Sequence, residues 1–290
     1  MEEKALTAKK SGFSMLPLCF IVFASGAALF VYAIGHLERG ENALGGFLLV
    51  VAILGYIAGI IALPGFKVLK PQEALVLTLF GHYAGTLREP GFYWVCPFCT
   101  AVNPAAGTKL SQSGDVDGGA HAASQSDGMG KKISLKMMTL NNSRQKINDC
   151  LGNPVEIGIA VIWRVTDTAK AVFNVDNYKE YLSLQCDSAL RNVVRVYPYD
   201  VAPNVDTTGD GVADEGSLRG SSEVVAARIR DEIQKNVAEA GIEVVEARIT
   251  YLAYAPEIAA VMLQRQQASA IIDARKMIVD GAVGMVEMAL

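Results

Sequence analysis

Val155-Glu156-Ile157-Gly158-Ile159-Ala160-Val161-Ile162-Trp163-Arg164-Val165 is the clearest strand signal in this chain of 290 residues. β-Branched and aromatic side chains recur almost without a break, and Gly152-Asn153-Pro154 supplies the turn leading into the run. Helical patterns follow. Tyr178, Tyr181, Leu182, Ala189, Leu190, Val193 and Val194 share one face of a helix predicted over 178–196. Val225, Ile229, Ile233 and Val237 do the same over 222–240, and Gly241 stands where a helix C-cap is expected. A second strand is predicted over 242–254, with Val245, Ala247, Ile249 and Tyr251 alternating on one face. The fold class is α+β with a modest mixed sheet.

Beyond that strand, Pro256 suits a first helical position, and only Gly281 and Gly284 weaken the pattern up to the end of the chain. A helix over 256–290 would reach roughly 50 Å. Steps of three and four residues pick out Ile258, Val261, Ala268, Ile272, Val279, Ala282, Val286 and Ala289, interrupted by Arg265 and Arg275. This is a coiled-coil-like seam on a rod with no obvious partner inside its own chain. The expectation is an oligomerisation helix that packs against copies of itself; the alternative is a helix folded back on its own sheet. Because the chain stops within this apolar helix, a further segment is expected after it.

Upstream, 73–81 reads as a strand ended by Gly81, and Phe92-Tyr93-Trp94-Val95 as another after the turn Leu87-Arg88-Glu89-Pro90-Gly91. The two are expected to pair as an antiparallel hairpin beneath a membrane, its aromatic rings either in the headgroup layer or in the core. Between Ala105 and Gly130 the sequence is rich in Gly, Ser, Ala and Asp, with almost no large apolar side chains. It reads as a mobile insertion, 105–130.

Apolar residues make up 51% of the chain and charged ones only 19%, and the excess is concentrated near the amino terminus. Two uncharged cores, 16–35 and 44–63, are each long enough to span a bilayer as a helix. The polar turn His36-Leu37-Glu38-Arg39-Gly40-Glu41 joins them into a hairpin. Lys4, Lys9 and Lys10 precede the first span, Lys67 and Lys70 follow the second, and the turn holds only Arg39 beside two glutamates. The positive-inside rule predicts a two-pass cell-membrane protein with both ends cytoplasmic. A cleaved signal peptide is the competing reading of the first span. Gly55 and Gly59 form a GxxxG in the second. The organisation is therefore an amino-terminal segment 1–15, a transmembrane hairpin 16–63, a domain 66–255 and the long helix 256–290. Membrane lipids are expected partners. A net charge of −4 gives no reason to expect nucleic acid, and five cysteines in so long a chain suit reduced thiols.

Few motifs point to chemistry. Cys96-Pro97-Phe98-Cys99 is a CxxC, but it ends a strand, whereas a redox thiolate needs a helix N-terminus and a zinc site needs two further ligands. Asp206, Thr208, Asp210 and Asp214 fall at the first, third, fifth and ninth places of an EF-hand-like calcium loop, with Gly211 at the sixth. The twelfth place is Ser217 rather than a bidentate glutamate, so the cage is incomplete. An acidic solvated loop is the alternative, and calcium is the one cofactor left open. His36, His82 and His121 have no ligand spacing, and nothing argues for an enzyme.

Taken in order, Lys70-Pro71-Gln72-Glu73-Ala74 through Phe80-Gly81, then Gly85-Thr86-Leu87-Arg88-Glu89-Pro90-Gly91-Phe92, Pro97-Phe98, Asn153-Pro154-Val155, Trp163-Arg164-Val165, Ala189-Leu190-Arg191 with Val193-Val194, and 264–274 resemble the SPFH (band 7) superfamily over 66–290. Stomatins, prohibitins, flotillins and the bacterial Hfl-type protease modulators belong to it. The hairpin, the insertion and the acidic loop depart from the commoner stomatin pattern of a single membrane insertion. The resemblance implies a membrane-anchored scaffold without catalytic residues, whose copies assemble side by side into a large ring or cage around a membrane microdomain. Client membrane proteases or channels are implied as partners. A regulatory subunit that binds one such partner without ring assembly is the alternative, and a thiol-redox enzyme built on Cys96 and Cys99 a third.

Overall fold

The computed structural model describes residues 3–6, 12–38, 42–110, 116–117, 130–200 and 216–289. Two apolar helices, α1 (Gly12–Glu38) and α2 (Asn42–Ala62), pack side by side as a hairpin. Phe23 meets Tyr56 edge-on at 5.9 Å, and a Cβ at Gly59 would lie 2.9 Å from the Phe23 ring, whereas Gly55 faces open space. Only one residue of the GxxxG therefore serves the contact. Both helices are long and apolar enough to cross a membrane, and only 11% of each apolar window is buried. That exposure separates them from the core helices of a soluble protein.

The first sheet region follows at once. β1 (Phe66–Leu69) pairs antiparallel with β4 (Gly91–Trp94), while β2 (Glu73–Leu79) turns at Phe80-Gly81 into β3 (His82–Leu87). The expected pairing of 73–81 with the Phe92 strand is thus corrected. A tight two-residue turn with positive φ at Phe80 and Gly81 sends the chain back immediately. β3 escaped the sequence reading because His82-Tyr83-Ala84-Gly85-Thr86 lacks an apolar run. β5 (Cys99–Ala101) adds to the other edge of β2, short β6 (Lys109–Leu110) and β7 (Val116–Asp117) pair with each other, and β8 (Ile133–Ser134) joins the start of β2.

The main core lies under the second sheet. β11 (Pro154–Val165) is its spine, flanked on one edge by β9 (Met138–Asn141) and β10 (Gln145–Asn148) and on the other by β12 (Ile242–Tyr254). Ile157, Ile159, Val161 and Trp163 point inward and are fully buried. Over this core pack α4 (Tyr178–Val194) and α5 (Ser222–Val237), with the short α3 (Thr168–Phe173) ahead of them. Asp167 caps α3 and Asn177 caps α4, each side chain accepting from backbone N–H groups of the first turn. β12 carries two bulges against β11, at Val245 and at Thr250. The first corrects the expected facing: Val244 is buried, Val245 is 37% exposed, and inward alternation resumes at Ala247.

The last element, α6 (Pro256–Ala289), runs about 51 Å. Near its start, Lys146 Nζ bonds Glu257 Oε1 at 2.6 Å and Gln266 Nε2 donates to Asp200 Oδ2 at 2.8 Å. Farther along, the described side chains are exposed apart from half-buried Gly284.

Candidate functional site

Two surfaces stand out. The first is the end of the domain where the helices enter and leave. Phe92 of β4 stacks on Phe66 at 5.5 Å and meets Phe13 of α1 edge-on at 5.5 Å. Trp94 Nε1 donates to the Ala62 carbonyl at 3.3 Å, and Val95 N donates to Gly65 O at 3.0 Å. Of the aromatic cluster, Tyr93 is core, while Phe92 and Trp94 are half-buried against the helix ends. Since Trp94 pairs with Phe66 and Cys99 with Leu79, the turns after β2 and β4 lie at this same end. Their tips present Phe80, 80% exposed, and Phe98, 55% exposed, stacked at 6.0 Å.

The second surface is α6. Of the expected seam, Val261, Ala268, Ile272, Val279 and Ala282 are exposed and Ile258 is half-buried; Val286 and Ala289 fall in the same helix. A further row was missed by the sequence reading. Ile271, Ile278 and Met285 are each more than half exposed and follow one another at seven-residue steps. Each sits immediately before a member of the row Ile272, Val279, Val286. The signal was the recurring pair of adjacent apolar residues, which a search for one stripe passes over.

A scan against family models matches residues 67–278 to the SPFH domain / Band 7 family. The chain belongs to that family. No curated protein matches significantly. The SPFH match opens in β1 and runs through both sheets into α6, so the α1–α2 hairpin precedes it. An SPFH domain behind two exposed apolar helices marks a membrane protein and fits a scaffold role in general.

The remaining candidate residues of this SPFH chain form no cluster among the described residues. Cys96 is exposed, and Cys99 N donates to Cys96 O at 2.9 Å in a turn between strands. Burial, then the neighbouring Cys96, pushes the Cys99 thiol above its usual range, the opposite of an activated thiolate. The calcium-loop residues Asp206, Thr208, Asp210 and Asp214 lie outside the described residues. The loop's twelfth place, Ser217, is buried, and its hydroxyl accepts from Gly220 N at 2.9 Å. Among the described residues no group of three or more His, Cys, Asp or Glu side chains could hold a metal. His82 opens β3, His36 lies against Tyr32 at 4.7 Å, and His121 lies outside the described residues. Of the expected insertion, Ala105 is buried in the main core, and Lys179 Nζ donates to the Ala105 and Thr108 carbonyls. An open cleft of about 510 Å³ between α5 and β12 is lined by Glu223, Arg230, Glu246 and Arg248. Arg230 bonds Asp231 and Arg248 bonds Glu246, each at 2.6 Å.

Proposed function

We propose that this SPFH protein is a two-pass scaffold of the cell membrane that assembles with copies of itself into a large ring or cage around a membrane microdomain and its client proteins. The observation that carries the reading is α6. Its adjacent rows, Ile271-Ile278-Met285 and Ile272-Val279-Val286, are set about 100° apart around the helix, which gives each copy one apolar face for a neighbour on either side. A helix with one seam would be satisfied by a dimer; one with two faces continues the array. The hairpin holds every copy in one plane, so lateral contacts add without orientational search.

The membrane-facing end supports the same reading. Phe80 and Phe98 extend the aromatic surface begun by Phe66, Phe92 and Trp94, and aromatic rings favour the headgroup layer. They would keep the domain against the bilayer while α6 stands away from it. Both ends cytoplasmic is favoured by the lysines flanking the spans, and by the bonds of Lys4 and Leu6, before α1, to Thr86, after α2. Electron microscopy of the particle in lipid nanodiscs is the test. Closed assemblies of many copies are expected. A monodisperse small species would leave the alternative, a regulatory subunit that binds a membrane protease or channel alone.

A further inference from the structure

β3 is an edge strand, and its free edge is taken by the start of the chain. Leu6 N donates to Thr86 O and Thr86 N donates to Lys4 O, each at 3.0 Å, in a parallel bridge centred on Ala5 and Thr86. Side chains read the segment at two points. The Glu3 carboxylate accepts from Thr168 Oγ1 at 2.8 Å and pairs with Arg88 Nη1 at 3.3 Å, with only 12% of its side chain exposed. Three residues later Leu6 joins the apolar cluster of Leu69, Leu75, Leu77, Leu87 and Tyr93. Gly85 makes room for it, since a Cβ there would lie 2.5 Å from Leu6 Cγ. Thr168 is fully buried and Thr86 almost so, which is unusual for hydroxyls serving a mere chain terminus.

Backbone pairing at an edge, a carboxylate clamp and a leucine pocket are the parts of a strand-addition site. We infer that the β3 edge is a docking groove for an extended segment carrying a carboxylate three residues before a leucine, and that this chain fills it in cis with Glu3–Leu6. The amino-terminal segment is a strap. A partner presenting such a segment adds to the sheet only by displacing it, and the tether sets an effective concentration in the millimolar range against that exchange.

The test uses the full-length protein in detergent and a fluorophore-labelled peptide with the sequence of residues 1–10. In one chain the strap is released by Glu3→Lys with Leu6→Asp, changes that leave the groove intact. Fluorescence anisotropy should show saturable binding to the released chain and at least tenfold weaker binding to the wild type. Binding should be lost when the released chain also carries Thr168→Val or Gly85→Val, or when the peptide carries the strap-releasing changes. Thr168→Val keeps shape and backbone, so its loss of binding is not a failure to fold. Absence of binding to the released chain at about 1 mM peptide, equal binding to both chains, or binding indifferent to Thr168→Val would each overturn the inference.

Discussion

Phe80 holds a backbone φ of 48°, a conformation that costs a bulky side chain about 1 kcal/mol or more, yet leaves its ring 80% exposed. Strain with no burial in return fits the proposed headgroup contact, in which something outside the chain covers the ring. With Trp94→Phe in place and Trp163 buried, a Phe80→Trp reporter in vesicles containing brominated lipid should be strongly quenched, while Lys146→Trp on β10 should not. Equal emission from Phe80→Trp with and without bromine would remove the contact. Glu73 makes a different, pH-dependent contribution. Burial alone would raise its carboxyl, but the hydrogen bond from Lys132 at 3.1 Å, helped by Lys70, holds it below its ordinary 4.5. A depressed folded value means the stabilisation is full above the unfolded value and is lost as pH falls from about 4.5 through the lower one. Glu73→Gln should cost about 1 kcal/mol at pH 7, seen as a lower denaturant midpoint, and the gap to wild type should close in acid.

At the scale of elements, what was legible follows where periodicity is clean. β11 and α4 announce themselves because a fully buried face forces a regular apolar pattern, and the two apolar helices by long runs without charge. β3 does not, since an edge strand beside a glycine gap needs little apolar surface of its own. On β12 strict alternation gives the wrong face for Val245, because a bulge is a backbone event that shifts the register without changing composition. α6 was legible as a rod and one seam, whereas its second row depends on seeing that Ile271 and Ile278 are uncovered in the folded protomer. That exposure yields an expectation separable from folding. Ile272→Asp with Ile278→Asp should leave domain stability within about 0.5 kcal/mol, since both side chains already face outward. The same changes should reduce the particle to small species by light scattering. A lowered melting temperature with unchanged particle size would mean that the helix packs within its own chain.

For the whole molecule the deciding relation is between the two ends of the hairpin. Lys4 and Leu6, before α1, bond to Thr86, beyond α2, so the two flanks of the hairpin lie together, as the proposed pair of crossings requires. An odd number of crossings would pull this strap from its sheet, and a cleaved first span would remove it altogether. In that proposal the lysines choose which side that is: three precede α1 and two follow α2, whereas the turn holds only Arg39. In the proposed topology the bonds between strap and sheet require an even number of crossings, and the lysine excess places both ends in the cytoplasm. In cells expressing otherwise cysteine-free protein, a membrane-impermeant maleimide should label Glu38→Cys from outside and leave Lys146→Cys unmodified until the membrane is opened. Labelling of Lys146→Cys alone from outside would reverse the sign, against the charge rule. Labelling of neither would mean that the helices lie along one leaflet instead of crossing it, and lateral assembly would then have to begin from a surface-bound protomer.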